Sequence, residues 1–343
     1  MQLASVIFAI LAVGLLIILH EAGHYLVARF AGMNVKRFSI GFGPVLFSTH
    51  WKGTDFQIGA IPLGGFVQID GMSLHDGTDP NAPGSYQNKP FHLKFATILA
   101  GPVANYVLGF LLLVVGLGFF HYQALGPIRL TKIMGDSAAQ KGGLKEGDLL
   151  VGTSSTTFET DEDFRAAIQA AAPDLTLIVQ RDGQEQRLTV TPSEQGGRRY
   201  LGVAYEGVNR RRIELSPGET LSMASQEVLI NTVGTVLGVA AIFMPKVQVE
   251  LSGPIGIVRS LSERAQKSLS DAMKDVARLS IALGIFNLFP IPSLDGSRLL
   301  FLAVGAIRRK PVSPKLEQVV HLVGLALLLG LFVVVSIGDI LGP

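Results

Sequence analysis

The sequence has no cysteine and a single tryptophan, and only 16% of its 343 residues are charged. Without Cys there can be no disulfide and no thiolate metal site, so any transition-metal centre must be built from His, Asp or Glu. The same absence leaves the redox compartment undecided. Soluble domains carry about 25% charged residues. Here 48% of residues are hydrophobic and the mean hydropathy is positive, a balance that belongs to a membrane protein. A formal net charge of +2 offers no basic excess for a nucleic-acid surface, and no nucleic-acid partner is expected.

Charge is missing over long stretches. Leu3 to Leu19 and Phe95 to Phe120 contain none, Val319 to Ile337 has only His321 as an ionisable group, and Val276 to Ile307 is apolar but interrupted. Each stretch, with its flanks, supplies the roughly 20 residues that a spanning helix needs. The expected fold is therefore a multi-span α-helical membrane protein with four spans, at 1–32, 91–121, 274–308 (broken) and within 309–343. The first run lacks a basic start and a small-x-small cleavage site, which favours a retained span over a signal peptide. Residues 31 to 94 hold Lys36, Arg37, Lys52, Lys89 and Lys94, and the last loop is basic from Arg308 to Lys315. The positive-inside tendency puts both on the cytoplasmic side, with the termini and the large middle segment opposite.

Within 33–90, Thr54 to Asp70 alternates apolar and polar residues around Pro62-Leu63-Gly64-Gly65, which predicts a cytoplasmic-side β-hairpin or re-entrant element at 54–70 with its turn there. Residues 71 to 90 read as a loop. Residues 122–208 form a soluble α+β island with an amphipathic helix near Asp161 to Ala172 and a hairpin around Arg181-Asp182-Gly183. In 209–273, Ser222 to Met244 is apolar but contains Gln226, Glu227 and Asn231. A surface helix is expected there, because a fifth span would carry Arg308 to Lys315 to the other side.

The chemistry concentrates at His20-Glu21-Ala22-Gly23-His24, which closes the uncharged N-terminal run. On a helix, two His four apart share a face and can bind one Zn²⁺ with the Glu beside it. Ionisable groups at membrane depth are costly and point to function; the alternative is polar packing between helices. A catalytic zinc needs a third protein ligand. Asn287 to Gly296 interrupts a span with Pro290 and Pro292, and broken backbone at depth survives where it is buried or lines a cavity. Asp295 sits in that break, either as a ligand or as a helix N-cap. Gly101-Pro102 and Asn105 mark the second span, as helix–helix glue or as substrate contacts, and Asn287 has the same two readings. His50, His75, His92, His121 and His321 lack ligand spacing and read as surface or core residues.

Five segments, taken in order, resemble the site-2 proteases and specifically the bacterial RseP-like intramembrane metalloproteases. They are 20–44, 62–71, 99–109, Gly253-Pro-Ile-Gly-Ile257 and 287–296. The island is similar to a single PDZ domain, through Ser137-Ala138 and Gly143 to Asp148. The resemblance implies one Zn²⁺ per chain held by His20, His24 and Asp295, with Glu21 as catalytic base. It also implies that Asn105 and Asn287 lie near the substrate strand. Gly64 and Gly65 would permit close approach of an unwound substrate to the hairpin edge. Implied substrates are single-span membrane proteins already trimmed by another protease, such as anti-sigma factors, or remnant signal peptides. The implied location is the bacterial inner membrane, with the active site toward the cytoplasm and the PDZ-like island opposite. Two segments depart from the pattern: Leu294-Asp295-Gly296-Ser297 replaces the usual Leu-Asp-Gly-Gly, and Thr153 to Thr157 stands where an Asn-Gly turn is common.

Overall fold

The computed structural model describes residues 3–72, 79–120, 122–195, 198–212, 214–242 and 253–341. His75 and His121 lie outside them. The chain divides into two compact units: Met1–Leu117 with Pro217–Pro343, and Gly118–Ser216.

Helix α1 (Leu3–Phe30) is apolar around its circumference and exposes Leu3, Ile7, Ile10, Leu11 and Leu15. An all-round apolar helix with an uncovered surface belongs in a bilayer. Strands β1 (Val35–Trp51) and β2 (Thr54–Ile69) follow, paired antiparallel. They join at Lys52-Gly53, where both residues have positive φ (49° and 81°), the twist a two-residue hairpin turn requires. The ladder is bulged and curls on itself. Arg37–Ile40 sit between Gly65–Gln68 on one side and Asp55–Ile58 on the other.

This corrects the expected hairpin of 54–70. Its two halves do not pair with each other, and Pro62–Gly65 is not the tip; the first part of β1 lies between them. β1 hides from pattern reading because every residue from Phe42 to Trp51 is exposed, so no alternation survives.

Helix α2 (Phe91–Phe120), with Pro102 inside it, completes the first half of this unit. The second unit follows, with β3 (Tyr122–Ile133), α3 (Ala138–Lys141), β4 (Leu149–Thr153), α4 (Asp161–Ala170), β5 (Leu175–Arg181), β6 (Gln184–Val190), β7 (Ser193–Gln195), β8 (Arg198–Tyr200) and β9 (Val203–Arg212). Its antiparallel sheet has the order β6-β5-β4-β3-β9, and β7 pairs with β8. Helix α4 starts at a capping box in which Thr160 and Asp163 satisfy each other's backbone N–H. Its apolar face, Phe164 and Ile168, packs with Ile128, Leu130, Leu150, Phe158, Leu177 and Val179 in one core.

Five helices return to the first unit: α5 (Pro217–Ile242), α6 (Pro254–Lys267), α7 (Leu269–Leu288), α8 (Asp295–Arg308) and α9 (Pro314–Leu341). Among the described residues, three helices are long and apolar enough to cross a membrane, at Leu3–Phe30, Phe91–Phe119 and Lys315–Ile340. The expected broken stretch at 274–308 is two helices, α7 and α8, joined by a bend at 289–294 where Pro290 and Pro292 stand, and neither is among the three long apolar helices. Asp271, Lys274, Asp275 and Arg278 charge the first half of α7, so it is no simple apolar run. Helix α5 packs on α7, with Arg278 beside Glu227 at 3.4 Å, and touches α2 where the Tyr106 and Thr232 hydroxyls are 3.3 Å apart.

Helix α6 packs on α1 and α7 through Leu261, Ala9, Leu16, Ala272 and Val276. Its N-terminus is tied to α9, because the Gly253 and Gly256 N–H groups donate to the Asp339 carboxylate at 3.2 and 2.8 Å. A carboxylate at a helix N-terminus satisfies donors that would otherwise be orphaned.

Candidate metal centre

His20 and His24, one turn apart on α1, are both buried. Asp295 opens α8. The Oδ2 atom of Asp295 lies 3.1 Å from His20 Nε2 and 3.2 Å from His24 Nε2, and the two Nε2 atoms are 3.2 Å apart. A tetrahedral ion with bonds near 2.0 Å holds its ligand atoms about 3.3 Å from one another. The three donors therefore already stand at the spacing a zinc ion imposes. Asp295 Oδ2 is buried and receives no hydrogen bond. Three electron-pair donors facing one another repel, and a cation at their centre removes the conflict.

The far side of each imidazole is held. His24 Nδ1 donates to the Thr97 carbonyl at 2.8 Å, which fixes the tautomer and leaves Nε2 bare for a metal. His20 Nδ1 meets the Asn105 side-chain amide at 3.2 Å, while Asn105 Oδ1 is buried without a partner. Turning that amide by half a rotation puts Oδ1 against His20 Nδ1–H, satisfies both groups and frees His20 Nε2 in the same way. Asn105 thus stands behind a ligand. Ser280 Oγ donates to the Asn105 carbonyl at 2.8 Å and ties α7 to the same point of α2.

Two glycines allow this approach. A Cβ at Gly23 would fall 2.4 Å from the Ala100 carbonyl oxygen, and one at Gly101 would fall 2.2 Å from His24 Nε2. Any side chain at either place would drive α1 and α2 apart or occupy the ligand position. Glu21 follows His20 on α1, and its Cγ would be 3.0 Å from a Cβ at Gly65, so β2 runs directly alongside it. Gly64 takes φ +95°, with the Phe42 ring 2.6 Å from where a Cβ would be. Asn287 turns its amide back to the Leu283 carbonyl of its own helix at 3.0 Å.

One participant has no signal in the sequence. Ser293, two residues before Asp295, has φ +74°, a left-handed conformation costly for a residue other than glycine. It is pinned to α9 by two bonds: Ser293 N–H donates to His321 Nδ1 at 3.1 Å, and Ser293 Oγ donates to the His321 carbonyl at 2.6 Å. A Cβ at Gly324 would overlap Pro292 at 2.2 Å. Helix α9 therefore presses on the bend that delivers Asp295, and His321 is its point of attachment. A pairing between residues 28 apart in the chain leaves no local pattern to read.

Two buried imidazoles from an HExxH helix, closed by an aspartate from a second helix among membrane-spanning segments, define the class: a membrane-bound zinc metalloprotease. The profile of Peptidase family M50 matches residues 8–331. The chain is 31% identical to the zinc metalloprotease RasP of Geobacillus kaustophilus, over 98% of each chain. It is also similar to candidate zinc metalloproteases of Agrobacterium fabrum (32% identity, 96% of this chain and 94% of the relative) and Fusobacterium nucleatum (31%, 97% and 98%). The chain belongs to Peptidase family M50, the site-2 type of zinc metalloprotease.

Proposed function

We propose that this chain hydrolyses peptide bonds within or near the spanning segments of single-span membrane proteins. Substrates already shortened by another protease fit best, because a site among spanning helices has little room for a large attached domain. The observation that carries the reading is the closure of His20, His24 and Asp295 around one point, with Glu21 next to it and an extended strand alongside.

His20, His24 and Asp295 are the ligands in this reading. Zinc bound there supplies a Lewis acid that makes water nucleophilic near neutral pH and polarises a carbonyl. Glu21 takes the proton from the attacking water and delivers one to the departing amine. Thr97 and Asn105 keep the imidazoles aimed. A substrate helix hides its amides in internal hydrogen bonds and must unwind before attack. The edge of β2 near Gly65 can receive the unwound segment by strand addition, within reach of Glu21. The exposed Val45, Leu46, Phe47 and Trp51 suit a sheet that enters the bilayer from one face.

Four crossings, by α1, α2, the α7–α8 pair and α9, fit the basic loops and put the metal toward the cytoplasm of a bacterial inner membrane. Residues 118–216 then face the other side. Their PDZ-like character is supported by the antiparallel sheet with α4 against it and a cavity of about 570 Å³ beside Phe164, Ile168, Leu201 and Val203. Such a groove suits an exposed peptide tail, which makes this unit a selector of substrates. Cleavage of a single-span test substrate in detergent or proteoliposomes decides the matter. Glu21→Gln is expected to lower the rate by about 10³-fold while zinc stays bound. Undiminished cleavage by that variant, or by enzyme stripped with a chelator, overturns the proposal.

A further inference from the structure

We propose that a second, non-catalytic site in this chain binds the phosphate headgroup of an anionic phospholipid. It is a cavity of about 760 Å³ between the segment leading into α2, helix α8 and the start of α9. Four cations line it, Lys94, Arg298, Arg309 and Lys310, against one carboxylate, Glu317. Two of these charges are engaged. The Lys94 ammonium donates to the Gln87 carbonyl at 2.7 Å, and Glu317 lies 3.7 Å from His321 Nε2. Arg298, Arg309 and Lys310 form no ion pair among the described residues. Arg298 is half-buried on the second turn of α8. A cation withdrawn from water without a counter-charge is costly, and an anion entering the cavity relieves Arg298 while meeting the exposed Arg309 and Lys310 at its rim.

Position and shape select a lipid as the source of that anion. Phe91 and Lys315 begin two of the helices that can cross a membrane, so the cavity lies at headgroup depth. Its wall continues onto α9 through Leu322 and Leu325, which are 66% and 47% exposed. Beyond them Leu329, one turn after Leu325, is also exposed, a path for acyl chains leading out of the cavity. A soluble phosphate or an acidic peptide has no use for that apolar track. Basic pockets between spanning helices take anionic headgroups in this manner, each cation near the surface contributing about 1 kcal/mol, or about fivefold in affinity.

The test is thermal unfolding of the full chain in neutral detergent, titrated with phosphatidylglycerol, phosphatidylcholine, glycerol phosphate or an acidic peptide. Phosphatidylglycerol should raise the melting temperature saturably and the other three should not. Arg298→Gln should weaken the phosphatidylglycerol effect by about fivefold, and Arg37→Gln, on β1 outside the cavity, should leave it unchanged. The paired variant R309Q/K310Q alters only exposed side chains and reads the site should Arg298→Gln disturb folding; it is expected to weaken binding by at least fivefold. Equal shifts with phosphatidylcholine, half-saturation by glycerol phosphate or the peptide at the lipid's own concentration, or unchanged binding in R309Q/K310Q would each overturn the proposal.

Discussion

Asp148 and Asp295 each bury carboxylate oxygen, and they are treated oppositely. In the second unit, Asp148 is 2% exposed and fully partnered: Arg181 Nε and Nη2 donate at 2.7 and 2.8 Å, and the Lys145 N–H donates at 2.8 Å. In the first unit, Asp295 Oδ2 is buried with no donor and faces two bare imidazole nitrogens. One carboxylate is finished by the protein itself and serves the fold. The other is finished only by a cation. Satisfaction of hydrogen bonds, rather than burial or charge, separates the structural aspartate from the functional one.

That contrast can be broken from either side. Removing the finished carboxylate should cost stability and nothing else. Asp148→Ala is expected to destabilise residues 118–216 by about 2–3 kcal/mol, since it removes both guanidinium bonds and the partner of the Lys145 N–H, while zinc per chain stays the same. Chemical denaturation followed by a probe in this unit, with metal analysis, checks both halves. The acid response sharpens it. Burial alone would raise the Asp148 carboxyl, but the Arg181 fork and the Lys145 N–H outweigh it and hold it below the usual carboxylate range. The folded form thus binds its proton later than the unfolded form does. The stabilisation is complete above the unfolded value of about 3.9 and is lost as pH falls through the folded one. Asp148→Asn should flatten that acid limb.

Weakening the support of the unfinished site should instead cost metal and leave the second unit untouched. Asn105→Ala is expected to reduce zinc affinity by 10- to 100-fold, the usual effect of losing a partner behind a ligating His. Competition against a chelator measures it. His321→Leu removes the side-chain acceptor of the Ser293 N–H while leaving the bond to the His321 carbonyl, and should lower zinc affinity by a smaller factor, about tenfold. His321→Asn, whose Oδ1 can take the Ser293 N–H, should recover most of the loss. Equal retention of zinc in the Leu variant would show that the His321 imidazole does not position Asp295.

The sequence made the site legible where chemistry is local. Two histidines four apart at the end of an uncharged run define a ligand face by helical period alone, and Asp295 betrays itself by standing after two prolines in an apolar stretch. Long-range supports are invisible for a physical reason. Thr97, Asn105 and His321 act through contacts set by helix packing, and nothing in their neighbours records the partner. Asn105 and Asn287 drew attention as polar groups in apolar helices, and their partners, His20 for one amide and the Leu283 carbonyl for the other, could not be read from the sequence. The same limit explains the fold. The repetitive apolar content of α1, α2 and α9 announces spanning helices. β1 escaped because its outer half is exposed on both faces, and Pro62–Gly65 imitated a hairpin tip that Lys52-Gly53 in fact provides. The break in the third apolar stretch was legible from Pro290 and Pro292, but not that the bend between the two helices turns Asp295 onto α1.

X-ray absorption at the zinc edge, recorded on purified full-length protein together with metal content, reaches the heart of this account. It should report one zinc per chain with two imidazole nitrogens and a carboxylate oxygen at about 2.0–2.2 Å, and Asp295→Ala should lose the oxygen contribution and most of the metal. A chain that binds no zinc, or a spectrum unchanged by Asp295→Ala, would contradict it.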